Sequence, residues 1–134
     1  MKKLLILASL AVMTLISCQK VEPTKINYNY TATVQGTVYY ANGTAVGSNW
    51  EVTIHVLEAK DKEGNKTLKD YVVLTNNSGV YSLTLPCKTS NGITIDSVTG
   101  PDYKNDGNTY VGAAAGKNIE NGKTETIDLT YVKQ

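Results

Sequence analysis

The chain has 134 residues, of which 13 are Lys, none is Arg and 12 are Asp or Glu, so its formal net charge at pH 7 is +1. Nucleic-acid-binding proteins normally carry a basic patch, and Arg is the side chain best suited to bidentate phosphate binding. The composition therefore gives no electrostatic reason to expect a nucleic-acid partner.

The N-terminus has the pattern of an export signal. A basic start at residues 1–3 is followed by an apolar run over residues 4–16 that only Ser9 and Thr14 interrupt. A transmembrane helix needs about 20 apolar residues, so the run is too short to span a bilayer. It fits the hydrophobic region of a signal peptide.

The last two residues of this run and the two that follow it, Leu15-Ile16-Ser17-Cys18, resemble the lipobox of bacterial lipoproteins. The resemblance implies cleavage before Cys18, a diacylglyceryl group on its sulfur and a further acyl chain, such as palmitate, on the new amine. Two or three acyl chains anchor a protein far more firmly than one. Gln19 after the Cys is typical of outer-membrane lipoproteins. An ordinary secretory signal with a nearby Cys is the alternative.

These features divide the chain into three parts. Residues 1–17 are the cleaved signal peptide, residues 18–28 are the lipidated Cys and a polar linker, and residues 29–134 form one domain. Removal of the signal leaves 117 residues with a net charge of −1. If Cys18 carries lipid, only Cys87 remains, so no intramolecular disulfide can form and the core must stabilise the domain.

The domain consists of short runs rich in Thr, Val, Ile and Tyr, separated by Gly and Asn clusters, which is the pattern of β-strands and turns. The first run sets Ala32, Val34, Gly36, Val38 and Tyr40 on one face. In the second run, Val52, Ile54 and Val56 alternate with Thr53 and His55, as expected when one face is buried. We expect an all-β, antiparallel β-sandwich. Its seven strands lie at about residues 31–40, 50–57, 67–74, 80–85, 93–98, 109–114 and 125–132.

Roughly residues 32–86 resemble the carboxypeptidase regulatory-like modules, which have a transthyretin-like (prealbumin-like or Ig-like) sandwich. The matching pieces are residues 34–38 (VQGTV), 43–46 (GTAV) with 52–54 (VTI), and 75–83 (TNNSGVYSL). Gly79 permits the positive φ of a tight turn, and Tyr81 is expected to enter the core beside the first strand. The resemblance implies a non-catalytic surface module.

No motif predicts catalysis, a metal or a cofactor. Residues 112–117 resemble a phosphate-binding loop but are one residue short and lack the following Ser or Thr, which favours a strand end and turn. Residues 102–108 resemble a calcium loop but place Lys104 where an oxygen ligand is required, which favours a plain loop between strands. His55 has no second His or Cys partner and is expected to face solvent. Cys87 lacks a His in its sequence context, so a catalytic thiol is not expected.

The sequence contains nine Tyr and one Trp but no Phe, so its aromatic side chains are all of the kinds that carry a polar group. Such side chains are common where one side of a surface is apolar and the other is in contact with water. Strand parity places Tyr40, Trp50, Tyr81 and Tyr131 inward. The tyrosines that we predict as candidates for a binding surface are Tyr28, Tyr30, Tyr39, Tyr103 and Tyr110.

Two functions stay open for this envelope module. A structural or protein-interaction role is favoured by an uncovered apolar edge strand, which can accept a partner's strand. A carbohydrate-binding role is favoured by paired exposed rings beside Asp or Asn. The partners expected are therefore membrane lipid through Cys18 and an envelope protein or glycan.

Overall fold

The computed structural model describes residues 30–134, and every regular element in that range is a β-strand. The expectations for the signal peptide, Cys18, the linker and Tyr28 concern residues outside this range. The nine strands are β1 (Thr31–Tyr39), β2 (Glu51–Lys60), β3 (Lys66–Leu74), β4 (Val80–Pro86), β5 (Ile93–Asn105), β6 (Asn108–Ala115), β7 (Asn118–Ile119), β8 (Thr124–Thr126) and β9 (Leu129–Lys133). The predicted all-β class is confirmed.

The strands are hydrogen-bonded in the order β3-β2-β5-β6-β9-β1-β4, with β7 beside β5 and β8 beside β1. Most neighbours are antiparallel, but β1 runs parallel to both β8 and β9. The sheet is therefore mixed, whereas the sequence had suggested antiparallel pairing throughout. Nothing in the local pattern of β1 or β9 indicates this, because the period of two is the same in both orientations.

The alternation in β1 and β2 predicts the core correctly. Side chains of β1 at Ala32, Val34 and Val38 are buried, as are the Val52, Ile54 and Val56 side chains of β2. The core is completed by apolar side chains from the other strands and loops: Val46, Tyr81, Leu85, Cys87, Ile95, Val98, Ile119, Ile127, Leu129 and Tyr131.

The Gly36 position explains why one expected strand is divided. A Cβ on Gly36 would lie 2.0 Å from the Ile127 carbonyl oxygen, so the chain approaches β1 here more closely than any side chain allows. Ile127 N–H donates to the Gln35 carbonyl, and Asp128 accepts a 2.8 Å hydrogen bond from Thr37 N–H through its side chain. The run at residues 125–132 is consequently divided into two strands, β8 and β9, which both pair with β1 in the parallel direction.

The turn before β4 agrees with the sequence. Gly79 has φ of +74°, and a Cβ there would meet the Val46 carbonyl oxygen at 2.5 Å. Two residues later Tyr81 is 1% exposed and lies opposite Gly36 in the β1–β4 ladder. The expected placement of this ring beside the first strand is confirmed.

The segment that resembled a calcium loop is a tight β-hairpin. Asp106 and Gly107 have φ of 49° and 76°, the two positive values of a type I′ turn, and residues 102–105 belong to β5. The expected strand break after residue 98 is wrong, because β5 continues for 13 residues to Asn105. The segment that resembled a phosphate-binding loop consists of the end of β6, as expected, and the two residues that connect it to β7.

Candidate functional site

Two of the five candidate tyrosines meet on the β5–β6 hairpin. Tyr103 and Tyr110 are directly opposite in the ladder, and their rings are stacked with centroids 4.8 Å apart and planes 9° from parallel. Tyr30, which is 40% exposed, and the half-buried Tyr39 lie at opposite ends of β1. Tyr28 is outside the described residues.

Three further rings enclose Tyr103. It makes edge contacts with Tyr40, Trp50 and Tyr131 at centroid separations of 5.5, 6.0 and 5.0 Å. Tyr131 is buried, as parity predicts, whereas Tyr40 and Trp50 are only half-buried. Each edge-to-face contact of this kind contributes about 0.5–1.5 kcal/mol of stabilisation beyond that from burying the ring. Tyr103 is therefore held in place from several sides.

Hydrogen bonds fix the inner part of this cluster. Trp50 Nε1 donates to Tyr131 Oη at 3.0 Å, and that hydroxyl donates to the Pro101 carbonyl at 2.7 Å. Burial raises the pKa of Tyr131, an effect that the bond from Trp50 partly opposes. The space for its ring comes from Gly100 and Gly112, where a Cβ would lie 2.2 and 2.7 Å from Tyr131 atoms.

A surface cavity of about 440 Å³ opens beside these rings. We call it the tyrosine cavity. It lies between the loop after β1 and the β5–β6 hairpin, and its lining is Tyr40, Ala41, Asn42, Thr44, Tyr103, Lys104, Asn105 and Tyr110.

Polar groups of the tyrosine cavity are available to a ligand. Among the described residues, no hydrogen bond or ion pair engages the Lys104 ammonium, the Asn105 amide or the Tyr110 hydroxyl. The Asn42 side-chain oxygen is used, because it accepts from both the amide and the hydroxyl of Thr44. The cavity therefore combines aromatic carbon with free donors and acceptors, and its lining contains neither a carboxylate nor an imidazole.

A second feature is the apolar edge strand β3. Within residues 30–134 it pairs with β2 alone, so its other edge carries no ladder. Leu68, Val72 and Leu74 project from one face with 40, 58 and 53% exposure. We call this unpaired strand, with its three exposed apolar side chains, the β3 edge.

A groove separates β3 from β4. These two strands end the sheet and follow each other in sequence, but they share no ladder. A cavity of about 570 Å³ lies where they diverge. We call it the side groove. Its lining is Val56, Leu57, Glu58, Lys69, Tyr71, Pro86, Lys88, Thr89, Gly92, Ile93 and Thr94. An ion pair of 2.7 Å between Lys88 Nζ and Glu58 joins two of these residues.

His55 has partners that the sequence did not reveal. Its Nδ1 lies 2.6 Å from Asp70 Oδ1 on β3, and its Nε2 lies 2.8 Å from Thr99 Oγ1 on β5. The expectation that it faces solvent is only partly right, since 20% of its side chain is exposed. Carboxylate, imidazole and hydroxyl stand in the order of a catalytic triad, but all three lie outside both cavities described above.

Cys87 is 1% exposed, and burial raises the pKa of its thiol. Both effects suppress thiolate chemistry.

Within residues 30–134 no group of three or more His, Cys, Asp or Glu could hold a metal ion. No helix in the same range is long and apolar enough to cross a membrane.

A scan against protein-family models found no match, and a search of curated proteins found none either.

Proposed function

We propose that this chain is a lipid-anchored protein of the bacterial cell envelope whose domain is non-catalytic and binds another protein. The anchor is supported by the short apolar run and the lipobox-like residues ending at Cys18, with Gln19 favouring the outer membrane. The observation that carries the interaction role is the β3 edge.

Free sheet edges are normally protected, because an unpaired row of N–H and C=O groups can pair with another chain. The β3 edge is nine residues long and exposes three large apolar side chains on one face. Lys66 and Lys69 are its only basic residues. Addition of a partner strand would pair the backbone groups, while alternate side chains would supply specificity.

The occupant we propose is an extended segment of a different envelope protein. If two copies of β3 paired antiparallel along their whole length, Asp70 would face Asp70 of the other copy, since residue 70 is central in Lys66–Leu74. Like charges directly opposite each other destabilise a sheet. A segment with a basic residue opposite Asp70 and apolar residues opposite Leu68 and Val72 complements the strand.

The side groove provides room for such a segment. Tyr71 and Lys69 of β3 and Pro86 of β4 line it, and Tyr71 lies on the face of β3 opposite to Val72. Side chains from a strand paired with β3 would alternate between the exposed apolar face and this groove. Both faces of the partner strand would therefore be contacted.

We also infer that the domain is a two-layer sandwich of the transthyretin-like type. Long antiparallel ladders join β3, β2, β5 and β6, and another joins β1 to β4. Strand β9 links the two groups through only three residue pairs to β6 and two to β1. Short links of this kind favour a chain that crosses from one layer to the other at β9.

The anchor is tested by intact mass and detergent partitioning of the full chain expressed in a bacterial host. We expect a mature chain that starts at Cys18, carries acyl mass and partitions into detergent. The Cys18→Ala variant should lose both the acyl mass and the partitioning. An unacylated, water-soluble wild-type product would overturn the anchor and leave a secreted domain.

The β3 edge is tested in intact cells by placing a photocrosslinking amino acid at Val72 or, as a matched control, at Val132. Both are strand valines, and their exposed fractions are 58 and 61%. We expect position 72 alone to crosslink to one envelope protein. A peptide covering the crosslinked segment should then slow hydrogen exchange of β3 amides. Equal crosslinking at both positions, or no protection of β3, would refute this role.

A further inference from the structure

We infer that the tyrosine cavity is a carbohydrate-binding site. It is separate from the proposed protein-binding surface, because none of its lining residues belongs to β3 or to the side groove. The two sites can therefore be tested independently.

The apolar part of the cavity suits a sugar ring. Sugars present C–H groups that pack on aromatic carbon and hydroxyls that require hydrogen-bond partners, and Tyr offers both kinds of contact. Tyr40, Tyr103 and Tyr110 all contribute to the lining. A volume of about 440 Å³ is within the usual range of small-molecule sites.

The polar part offers both donors and acceptors. Tyr103 Oη accepts a 3.4 Å hydrogen bond from Ala41 N–H, so its own proton remains available to a ligand. Asn42 uses its side-chain oxygen on Thr44, which leaves its amide N–H groups as donors. Asn105 has both halves of its amide available. A sugar hydroxyl, which donates and accepts at once, can use this mixture.

The rings are in place before a ligand arrives. Tyr103 contacts four other rings, and the type I′ turn at residues 106–107 fixes the hairpin that carries Tyr103, Asn105 and Tyr110. Binding then costs little side-chain entropy, because these groups need not be ordered by the ligand.

The charge of the cavity lining indicates which class of sugar binds most tightly. Lys104 is its only charged residue, and no described carboxylate is paired with it. A sugar that carries a carboxylate can form an ion pair with this ammonium in addition to the hydrogen bonds of a neutral sugar. We therefore propose an acidic oligosaccharide as the preferred ligand.

Trp50 provides a direct measurement. It is the only Trp in the chain and contacts both Tyr40 and Tyr103. The full chain, held in a detergent without a sugar headgroup, is titrated with digalacturonate, maltotriose and chitobiose. Trp fluorescence and saturation-transfer NMR report binding. We expect saturable binding, tightest for digalacturonate.

Matched variants locate the site. Asn105→Ala and Tyr110→Ala should each weaken binding about tenfold, since loss of one hydrogen bond or ring contact is worth about 0.5–1.5 kcal/mol and 1.4 kcal/mol is tenfold. Asn77→Ala and Tyr39→Ala, at an exposed turn and the end of β1, should leave affinity unchanged. Lys104→Gln should weaken digalacturonate more than maltotriose.

Unfolding midpoints of all variants show whether each remains folded. The proposal is overturned if none of the three sugars binds, or if Asn77→Ala and Tyr39→Ala weaken binding as much as the cavity variants. Equal loss for acidic and neutral sugars in Lys104→Gln would overturn the preference for an acidic ligand. None of these outcomes depends on whether the β3 edge binds a protein.

Discussion

The Tyr81 hydroxyl donates a hydrogen bond to the backbone carbonyl of Ile127. This contact joins β4 to the break between β8 and β9. The Tyr81 ring lies against Gly36 of β1. Three segments distant in sequence therefore meet at one buried hydroxyl. The lack of a side chain at Gly36 leaves room both for this ring and for the Ile127 carbonyl.

Removal of that hydroxyl tests its contribution to stability. Tyr81→Phe should lower the free energy of unfolding by about 1–3 kcal/mol, because the Ile127 carbonyl would lose a buried partner. Tyr39→Phe is the control, since Tyr39 is half-buried and its hydroxyl makes no hydrogen bond with the described residues. Urea unfolding measures both. Equal effects would mean that the bond contributes little.

Alkaline pH should destabilise the domain. Burial raises the pKa of Tyr81 above its ordinary value of 10.0 and also raises that of Tyr131. Below pH about 10 both tyrosines are protonated in the folded and unfolded chain, so their contribution is constant. Above it, the unfolded tyrosines lose protons first, and stability falls as pH rises.

Urea midpoints between pH 8 and pH 11 measure this fall. Tyr81→Phe should flatten the slope above pH about 10, because it removes one of the two tyrosines whose pKa is raised. An unchanged slope in this variant would assign the alkaline sensitivity to other residues.

Gly112→Ala should disturb the aromatic cluster. Its methyl group would lie 2.7 Å from the Tyr131 ring, which must then move relative to Trp50. We expect a shift in Trp50 fluorescence and a loss of about 1–3 kcal/mol of stability from overpacking. Gly47→Ala is the matched control, because a Cβ there meets nothing within 4 Å. A shift in both variants would argue against a packing origin.

The thiol count should report acylation. Cys87 is buried, so native protein should react very slowly with a maleimide, and denaturant should expose it. If Cys18 is acylated, unfolded chains will label once. If it is free, they will label twice, and Cys18 will also react in the native state. Mass spectrometry distinguishes these outcomes.

The sequence predicts those features of the fold that depend on residues close together in the chain. Alternation identified the buried faces of β1 and β2, and Gly79 with Tyr81 identified a turn and a core ring. The pairing of β1 with β9 was not predictable, because strands so far apart in sequence carry no local mark of their partner. The exposure of Leu68, Val72 and Leu74 also depends on pairing, since β3 lacks a neighbour on one side.

One part of the candidate site, the pairing of Tyr103 with Tyr110, has a signal in the sequence. Asp106-Gly107 is a strong signal for a two-residue hairpin turn, and counting outward from it places Tyr103 opposite Tyr110. Interpreting residues 102–108 as a loop hid that register. The contributions of Tyr40 and Asn42 could not be inferred, because they come from another loop brought near by the fold.

The surroundings of β1 bear on how a tethered domain withstands tension. Thr31 is held at once on both sides, by Asn121 and Gly122 and by its ladder to β4, and β8 and β9 follow further along. If Cys18 is embedded in a membrane, a pull on the linker acts along β1 and loads these hydrogen bonds together in shear. The domain would then resist being peeled open from its anchored end.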